Sequence, residues 1–231
     1  MAARFVRKAI TPEPGTCHEM VTLKATGGDK TFLVHAEILA HHSKYFRTAL
    51  NSGFMEATTR TFTLTEHCDD DMLELFVSWV YKEDEEKRED WLNVYFYGNE
   101  LEGAIQAWLF GDYIQAPTFQ NDIISCIIRA WEAGVNSYIC CWSTALSGSR
   151  LEALFVDMAC VTMTYERKEE REEILNALPS HAAELVLRQL VNHILTEGSQ
   201  KTLARGIDMD GVYTVRLNIQ FDAKDYKVEE D

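Results

Sequence analysis

The hydrophobic pattern of the chain changes its period at Ala36, and this change limits how the first fifty residues can fold. Before that point, the segment MVTLKATGGDKTFLVHA (20–36) carries two short runs with apolar residues, one on each side of Gly27-Gly28-Asp29. Clusters of glycine and aspartate favour turns. The segment therefore predicts a β-hairpin that leads into a helix.

Two short helices are predicted after the hairpin. The first carries Ile38 and Leu39 at helical spacing, and Ser43 then supplies the hydroxyl that favours the N-cap of a second helix. A glycine after the last apolar residue is typical of a helix end, so Gly53 is expected to close the second helix. The predicted buried stripe of that helix is Tyr45, Phe46, Ala49 and Leu50.

A strand and a longer helix are predicted next. TRTFTL (59–64) alternates, which places Phe62 and Leu64 on the inward face of a strand. The acidic residues 69–71 suit the first turn of a helix, because the positive end of the helix dipole lies there. The charged run 83–90 is interpreted as a solvated loop or helix end. The helix between these acidic segments has the apolar stripe Met72, Leu75, Phe76, Trp79 and Val80.

The second half of the chain is predicted to be mostly helical, because four further apolar stripes repeat at helical spacing. Pro117 and Pro179 open two of these helices, and the polar segment 166–173 separates the last two. The four stripes are Ile105, Trp108 and Leu109; Ile124, Ile127, Ile128 and Trp131; Leu151, Leu154, Phe155 and Met158; and Leu187, Leu190, Val191 and Ile194.

The period changes again near the end of the chain. VYTVRLNIQF (212–221) alternates over ten positions after Asp210-Gly211, and this pattern predicts an amphipathic strand. Such a strand needs backbone partners and a cover for its apolar face, so we expect it to dock on a sheet edge.

Charge and motifs exclude several classes of function. The net charge is −15, and residues 61–231 hold 32 acidic against 14 basic residues, so we expect no direct contact with nucleic acid. The chain has no CxxC pair, no HExxH, no phosphate-binding GxxxxGK and no GxSxG, and no apolar run reaches membrane-spanning length. We therefore expect that the protein is not an enzyme and that it binds no cofactor, metal ion or membrane. We also expect it to be cytoplasmic or nuclear, with its six cysteines reduced.

Three histidines lie close together, at positions 35, 41 and 42. Helical ligand pairs share a face at a spacing of three or four, whereas these histidines are separated by six and by one. They do not converge as metal ligands within this segment. His35 is interpreted as a structural, partly buried and hydrogen-bonded residue.

The spacing F-x-x-H-x-x-x-L-x-x-x-S-x-Y-F over residues 32–46, together with the later Tyr81, resembles the signature of the BTB/POZ domain. The order and spacing of the similarity extend over residues 18–130, and the short N-terminus and long helical tail are most similar to fungal members. The chain departs from the family pattern at Gly111, where alanine is usual. The signature residues are Phe32, His35, Leu39, Ser43, Tyr45, Phe46 and Tyr81.

The resemblance implies an α+β fold, a small mixed sheet flanked by helices, and we expect a helical C-terminal extension and a terminal strand beyond it. The expected organisation is a flexible flank (1–17), the BTB/POZ-like domain (18–130), the helical extension (131–208), and the terminal strand with its acidic tail (209–231).

The resemblance also implies a protein–protein interaction module that self-associates as a homodimer or recruits protein partners. One such role is substrate adaptor of a cullin-type ubiquitin ligase, in which Phe54, Met55 and Glu56 would meet the cullin from an exposed loop. Two alternatives are a transcriptional co-regulator that acts through a separate DNA-binding partner, and an enzyme with an unrecognised site in the helical half.

Overall fold

The computed structural model describes residues 19–82, 84–96, 101–132, 142, 147–165, 168–197, 204–207, 213–216 and 228. The chain divides into two compact units, residues 1–127 together with 228–231, and residues 128–227. The predicted flexible flank (1–17) and the turn at Asp210-Gly211 lie outside the described residues.

The first unit contains a three-stranded mixed sheet. Its strands are β1 (Met20–Ala25), β2 (Phe32–His35) and β3 (Thr61–Leu64), in the order β2-β1-β3. β1 pairs antiparallel with β2 and parallel with β3. The predicted hairpin and the inward positions of Phe62 and Leu64 are confirmed, and so is the α+β class with its small mixed sheet.

Helices follow β2 and β3 along the chain. They are α1 (Ala36–His42), α2 (Lys44–Leu50), α3 (Met55–Thr59), α4 (Asp70–Val80), α5 (Glu85–Tyr95), α6 (Leu101–Tyr113) and α7 (Pro117–Glu132). Of these, α1, α3 and α4 contact the sheet. Asp69 caps α4 by accepting the Met72 N–H at 2.7 Å, as the acidic first turn predicts. The next residue, Asp70, instead accepts the N–H groups of Asp29 and Lys30 and so ties the hairpin turn to α4.

An aromatic cluster forms the core of the first unit. Ring centroids of neighbouring members lie 5.1–6.5 Å apart, mostly edge to face, which suits the quadrupoles of the rings. The cluster draws on β3 and on four helices, so it joins the sheet to its cover. Its fully buried members are Phe46, Phe62, Phe76, Trp79, Phe110 and Phe119.

Gly111, the departure from the family pattern, lies where α6 closely approaches α7. A Cβ atom placed on this glycine would come within 2.7 Å of Gln120 Cγ and 3.1 Å of a ring carbon of Phe119. Real Cβ contacts are not this short, so the close approach of the two helices accounts for glycine at this position.

The second unit contains α8 (Arg150–Tyr165), α9 (Lys168–Ala177), α10 (Ser180–Glu197), β4 (Ala204–Ile207) and β5 (Tyr213–Arg216). α8 packs against α10, and the predicted α8 stripe is fully buried. β5 pairs antiparallel with β4 and lies against α8. The predicted terminal strand is thus present over four residues, Tyr213–Arg216. Its partner strand β4 was not predicted from the sequence. Residues 212 and 217–221 lie outside the described residues.

Two predictions about local structure differ from the structure. The strand predicted at 59–64 begins only at Thr61, because α3 occupies the preceding residues. The charged run 83–90 supplies the N-terminal half of α5, as the helix-end prediction allows, but it is not wholly solvated, since the side chain of Arg88 is only 12% exposed. The polar segment 166–173 separates α8 from α10 as predicted, and its residues 168–173 belong to the helix α9.

Two predicted stripes also differ from the structure. In α10, Leu187 and Val191 are about half exposed, while Ala182 and Val186 form the buried face towards α8. In α2, Phe46 alone is fully buried. Tyr45, Ala49 and Leu50 are half-buried.

Candidate protein-binding site

The segment that carries Phe54, Met55 and Glu56 is held between α2 and β3. The Phe54 N–H donates to Ser52 Oγ at 3.3 Å, and the Ala57 N–H donates to the Phe54 carbonyl at 3.2 Å, which begins α3. α3 ends at Arg60, whose φ of 52° lies in the left-handed region that stops a helix. The predicted loop conformation of this segment is therefore wrong, since most of its residues form one short helix.

Exposure is the main property of this segment. Phe54 is 70% exposed and Met55 is 74% exposed, and α3 contributes no buried residue. Glu56 is also exposed. Single exposed apolar residues are common on any surface, but here two large ones are adjacent and flanked by a carboxylate. We call Phe54, Met55 and Glu56 the α3 patch.

A pair of tyrosines lies close to the α3 patch. The rings of Tyr45 and Tyr113 have centroids 5.9 Å apart. Burial raises the pKa of Tyr45, and the charges of Tyr113 and Glu56 raise it further. A phenol is protonated at neutral pH without such a shift, so the raised pKa only extends the protonated range of Tyr45 to higher pH.

His35 joins the end of β2 to the end of α4. Its backbone N–H donates to the Tyr81 hydroxyl oxygen at 3.1 Å, and its Nδ1 lies 2.8 Å from the same oxygen. Because the hydroxyl accepts one hydrogen bond from the backbone, it can donate its own proton to an unprotonated Nδ1. Two signature residues are thus hydrogen-bonded to each other across 46 positions of sequence.

Ser43 connects three elements of the first unit. Its hydroxyl accepts the Phe46 N–H at 3.2 Å, which confirms the predicted N-cap of α2, and it donates to the Ile114 carbonyl at 2.5 Å. Ser43 is 1% exposed, so its hydroxyl is satisfied entirely within the protein. Two other signature residues, Leu39 and Phe46, are fully buried, whereas Phe32 and Tyr45 are half-buried.

A buried ionic network lies on α4, α5 and α7 and was not foreseen from the sequence. Asp122 Oδ2 accepts hydrogen bonds from Trp79 Nε1 at 2.9 Å and from Arg88 Nε at 3.1 Å. The Arg88 guanidinium also lies over the Trp79 ring, 5.1 Å from its centroid. An aspartate within the apolar periodicity of α7 was the available signal, since a buried carboxylate requires a partner.

The cysteines and acidic residues offer little reactive chemistry in the described part of the chain. Burial raises the pKa of Cys68 and of Cys160 to about 12, and nearby aspartates add to each shift. Both thiols are therefore protonated at neutral pH and are poor nucleophiles. Across the described residues, no cluster of three or more His, Cys, Asp or Glu side chains could hold a metal ion. Among the same residues, no helix combines the length and the hydropathy needed to cross a membrane.

Comparison with known proteins agrees with the fold of the first unit. Residues 17–101 match the family model of the BTB/POZ domain. The curated proteins contain no match, so the similarity to fungal members stays a prediction. Domains of this family are generally protein–protein interaction modules. Residues 17–101 of this chain, with their mixed sheet and the hydrogen-bonded His35 and Tyr81, therefore form a BTB/POZ domain.

Proposed function

We propose that the chain recruits a protein partner through the α3 patch, as a substrate adaptor of a cullin-type ubiquitin ligase. The observation that carries this proposal is the exposure of Phe54 and Met55, 70% and 74%, on a helix with no buried residue. Aromatic side chains at the centre of an interface supply much of its binding energy, because they lose a large apolar surface to the partner.

The anchoring of the patch supports its use in binding. Arg60, directly after α3, forms an ion pair with Glu19 at 2.7 Å, and its carbonyl accepts the Thr22 N–H at 2.8 Å. These contacts fix the C-terminal end of α3 to β1. A short helix held at its end loses less conformational freedom on binding than a loose loop would.

The test is a calorimetric titration of the full chain with a cullin N-terminal region. Phe54→Ala should weaken binding by about 2 kcal/mol, or roughly thirtyfold in Kd. The melting curve should hardly change, since Phe54 makes little contact with its own fold.

Leu33→Ala is the matched control, because Leu33 is 63% exposed but lies on β2 and outside the patch. It should leave the affinity unchanged. If the wild-type chain does not bind, or if Phe54→Ala lowers the melting temperature instead of the affinity, the adaptor role is wrong. Measurement of the molecular mass in solution would then test self-association as a homodimer.

A further inference from the structure

The outer surface of α5 is apolar towards the C-terminal end of the helix. Val94 is 75% exposed and Tyr95 is 41% exposed, and Trp91, one turn earlier on the same side, is half-buried. Val94 is as exposed as Met55 of the α3 patch, but it belongs to a different helix. We call Trp91, Val94 and Tyr95 the α5 face.

The opposite side of α5 anchors the helix to the first unit. Leu92 is fully buried, and Phe96, directly after the helix, is 8% exposed. Arg88 Nε lies 3.1 Å from Asp122 Oδ2, and the guanidinium lies over the Trp79 ring. These contacts hold α5 from its inner side, so the α5 face is presented by a helix that is already fixed. A partner that binds such a surface orders less of the protein than one that binds a loose segment.

The ring of Trp91 already interacts with one cation. Lys82 Nζ lies 4.6 Å from the ring centroid, and the Tyr95 ring lies beside it with the two centroids 5.7 Å apart. An ammonium group over an aromatic ring is attracted by the negative face of the ring quadrupole. This contact within the chain therefore indicates which side chains suit the surface, namely those with an aliphatic stem and a positive charge at the tip.

The charges beside the α5 face favour the same chemistry. Residues 83–90 hold six acidic residues against two basic ones, and one of the two, Arg88, is paired with the buried Asp122. Asp90 is exposed and lies one turn before Val94 on the same side of α5. An apolar and aromatic surface with this surplus of negative charge attracts a partner that is both apolar and basic, and it repels an acidic one.

We propose that the α5 face is a docking surface for a basic, amphipathic helix of another protein. The apolar stripe of that helix covers Val94 and Tyr95, and its lysine or arginine side chains meet the acids of residues 83–90. The residues of the α5 face are spaced three and four positions apart, and a second helix presents its own side chains at the same spacing. This surface shares no residue with the α3 patch, and its use does not depend on cullin binding.

The test uses three synthetic, fluorescently labelled peptides of about four helical turns. The first has leucines along one helical face and lysines along the other. The second replaces each lysine by glutamate, and the third replaces each leucine by serine. Each peptide is titrated into the full chain and followed by anisotropy. The lysine–leucine peptide should bind about ten times more tightly than the lysine–serine peptide, and the glutamate peptide should not bind.

Substitution of apolar residues locates the binding. The double variant V94S/Y95S should weaken the binding of the lysine–leucine peptide by about tenfold, because it removes the apolar surface that the peptide covers. The variant L187S/V191S is the matched control, since these residues are 52% and 51% exposed on α10. It should leave the affinity unchanged.

A charge reversal tests the acidic part of the surface. Asp90→Lys should weaken the binding, and its effect should shrink as salt is added, because exposed charges are screened. Glu184→Lys changes the net charge equally but lies on α10, so it should have little effect. Equal binding of the lysine–leucine and lysine–serine peptides would show only nonspecific attraction to an acidic chain and would overturn the proposal. Absence of binding, or an equal loss of affinity in the α5 variants and their α10 controls, would overturn it as well.

Discussion

The buried pair of Arg88 and Asp122 allows a quantitative test of how the first unit is held together. Their side chains are 12% and 5% exposed, and the Nε–Oδ2 distance is 3.1 Å. At this distance the gross Coulomb attraction is roughly 5 kcal/mol with an effective dielectric constant of 20. Desolvation of the two ions offsets much of this attraction, so replacing both partners should cost less than the two single changes together.

The single substitutions should differ in size. Asp122→Leu leaves the Arg88 guanidinium buried without its carboxylate and the Trp79 N–H without its acceptor, at about 4 kcal/mol. Arg88→Met should cost about 2 kcal/mol, because Asp122 keeps the hydrogen bond from Trp79. The double variant buries no unpaired charge and should cost about 3 kcal/mol, which leaves a coupling energy of about 3 kcal/mol.

The assay is urea unfolding of the wild type, both single variants and the double variant, followed by circular dichroism at pH 7. Glu184 and Arg188 on α10 are the control pair, since their side chains are 70% and 67% exposed at a comparable distance of 2.8 Å. The coupling energy of this exposed pair should be at most about 0.5 kcal/mol. If the buried pair shows a coupling energy as small as this, Arg88 does not stabilise the fold through Asp122, and its burial has no energetic role.

Three further predictions concern other parts of the chain. His35→Ala should lower the free energy of unfolding by about 1–3 kcal/mol, and Tyr81→Phe should lower it through the same lost hydrogen bond. A melting temperature that responds to zinc or to a chelator would contradict the structural role of His35. Gly111→Ala should lower the free energy of unfolding by about 1–3 kcal/mol through overpacking. Gly53→Ala, with open space around it, should be neutral or stabilising. Equal melting temperatures for the two variants would refute the close approach of α6 and α7. Deletion of residues 209–231 should reduce solubility or change the oligomer size, because it removes β5 from its partner strand β4. If both the melting temperature and the elution volume stay unchanged, the strand is not docked.

The parts of the fold that the sequence predicted are those controlled by neighbouring residues. The hairpin follows from the turn at Gly27, where φ is +80°, and the N-cap of α2 follows from one hydroxyl next to an apolar stripe. Periodicity also predicted the buried face of α8, since every residue of its stripe packs inward. Such features depend on a few consecutive residues, so a pattern of ten positions is enough to reveal them.

The features that the sequence did not predict depend on contacts between distant segments. Arg88 lies in a run of charges that is typical of a solvent-exposed segment. Its burial is explained by Asp122, 34 positions later, and by the Trp79 ring. In α10, Leu187 and Val186 are equally apolar neighbours, and the packing of α8 selects Val186 for the buried face. Periodicity finds an apolar stripe but cannot show which side of it a neighbouring helix will cover.

The α3 patch and the buried polar residues of α7 were hidden from the sequence pattern for different reasons. The helix α3 has only five residues, about one and a half turns, which is too short for a period to emerge, so the α3 patch is identifiable in the sequence only by its resemblance to a family motif. Asp122 and Asn121 meet Arg88 and Val228, which are distant in sequence and carry no motif of their own. The signal in the sequence was the row of polar residues Gln120, Asn121 and Asp122 between the apolar residues of α7. Because buried polar groups cost stability unless they are paired, such a row indicates that other parts of the protein must come to meet it, and Arg88 and Val228 are the groups that do so.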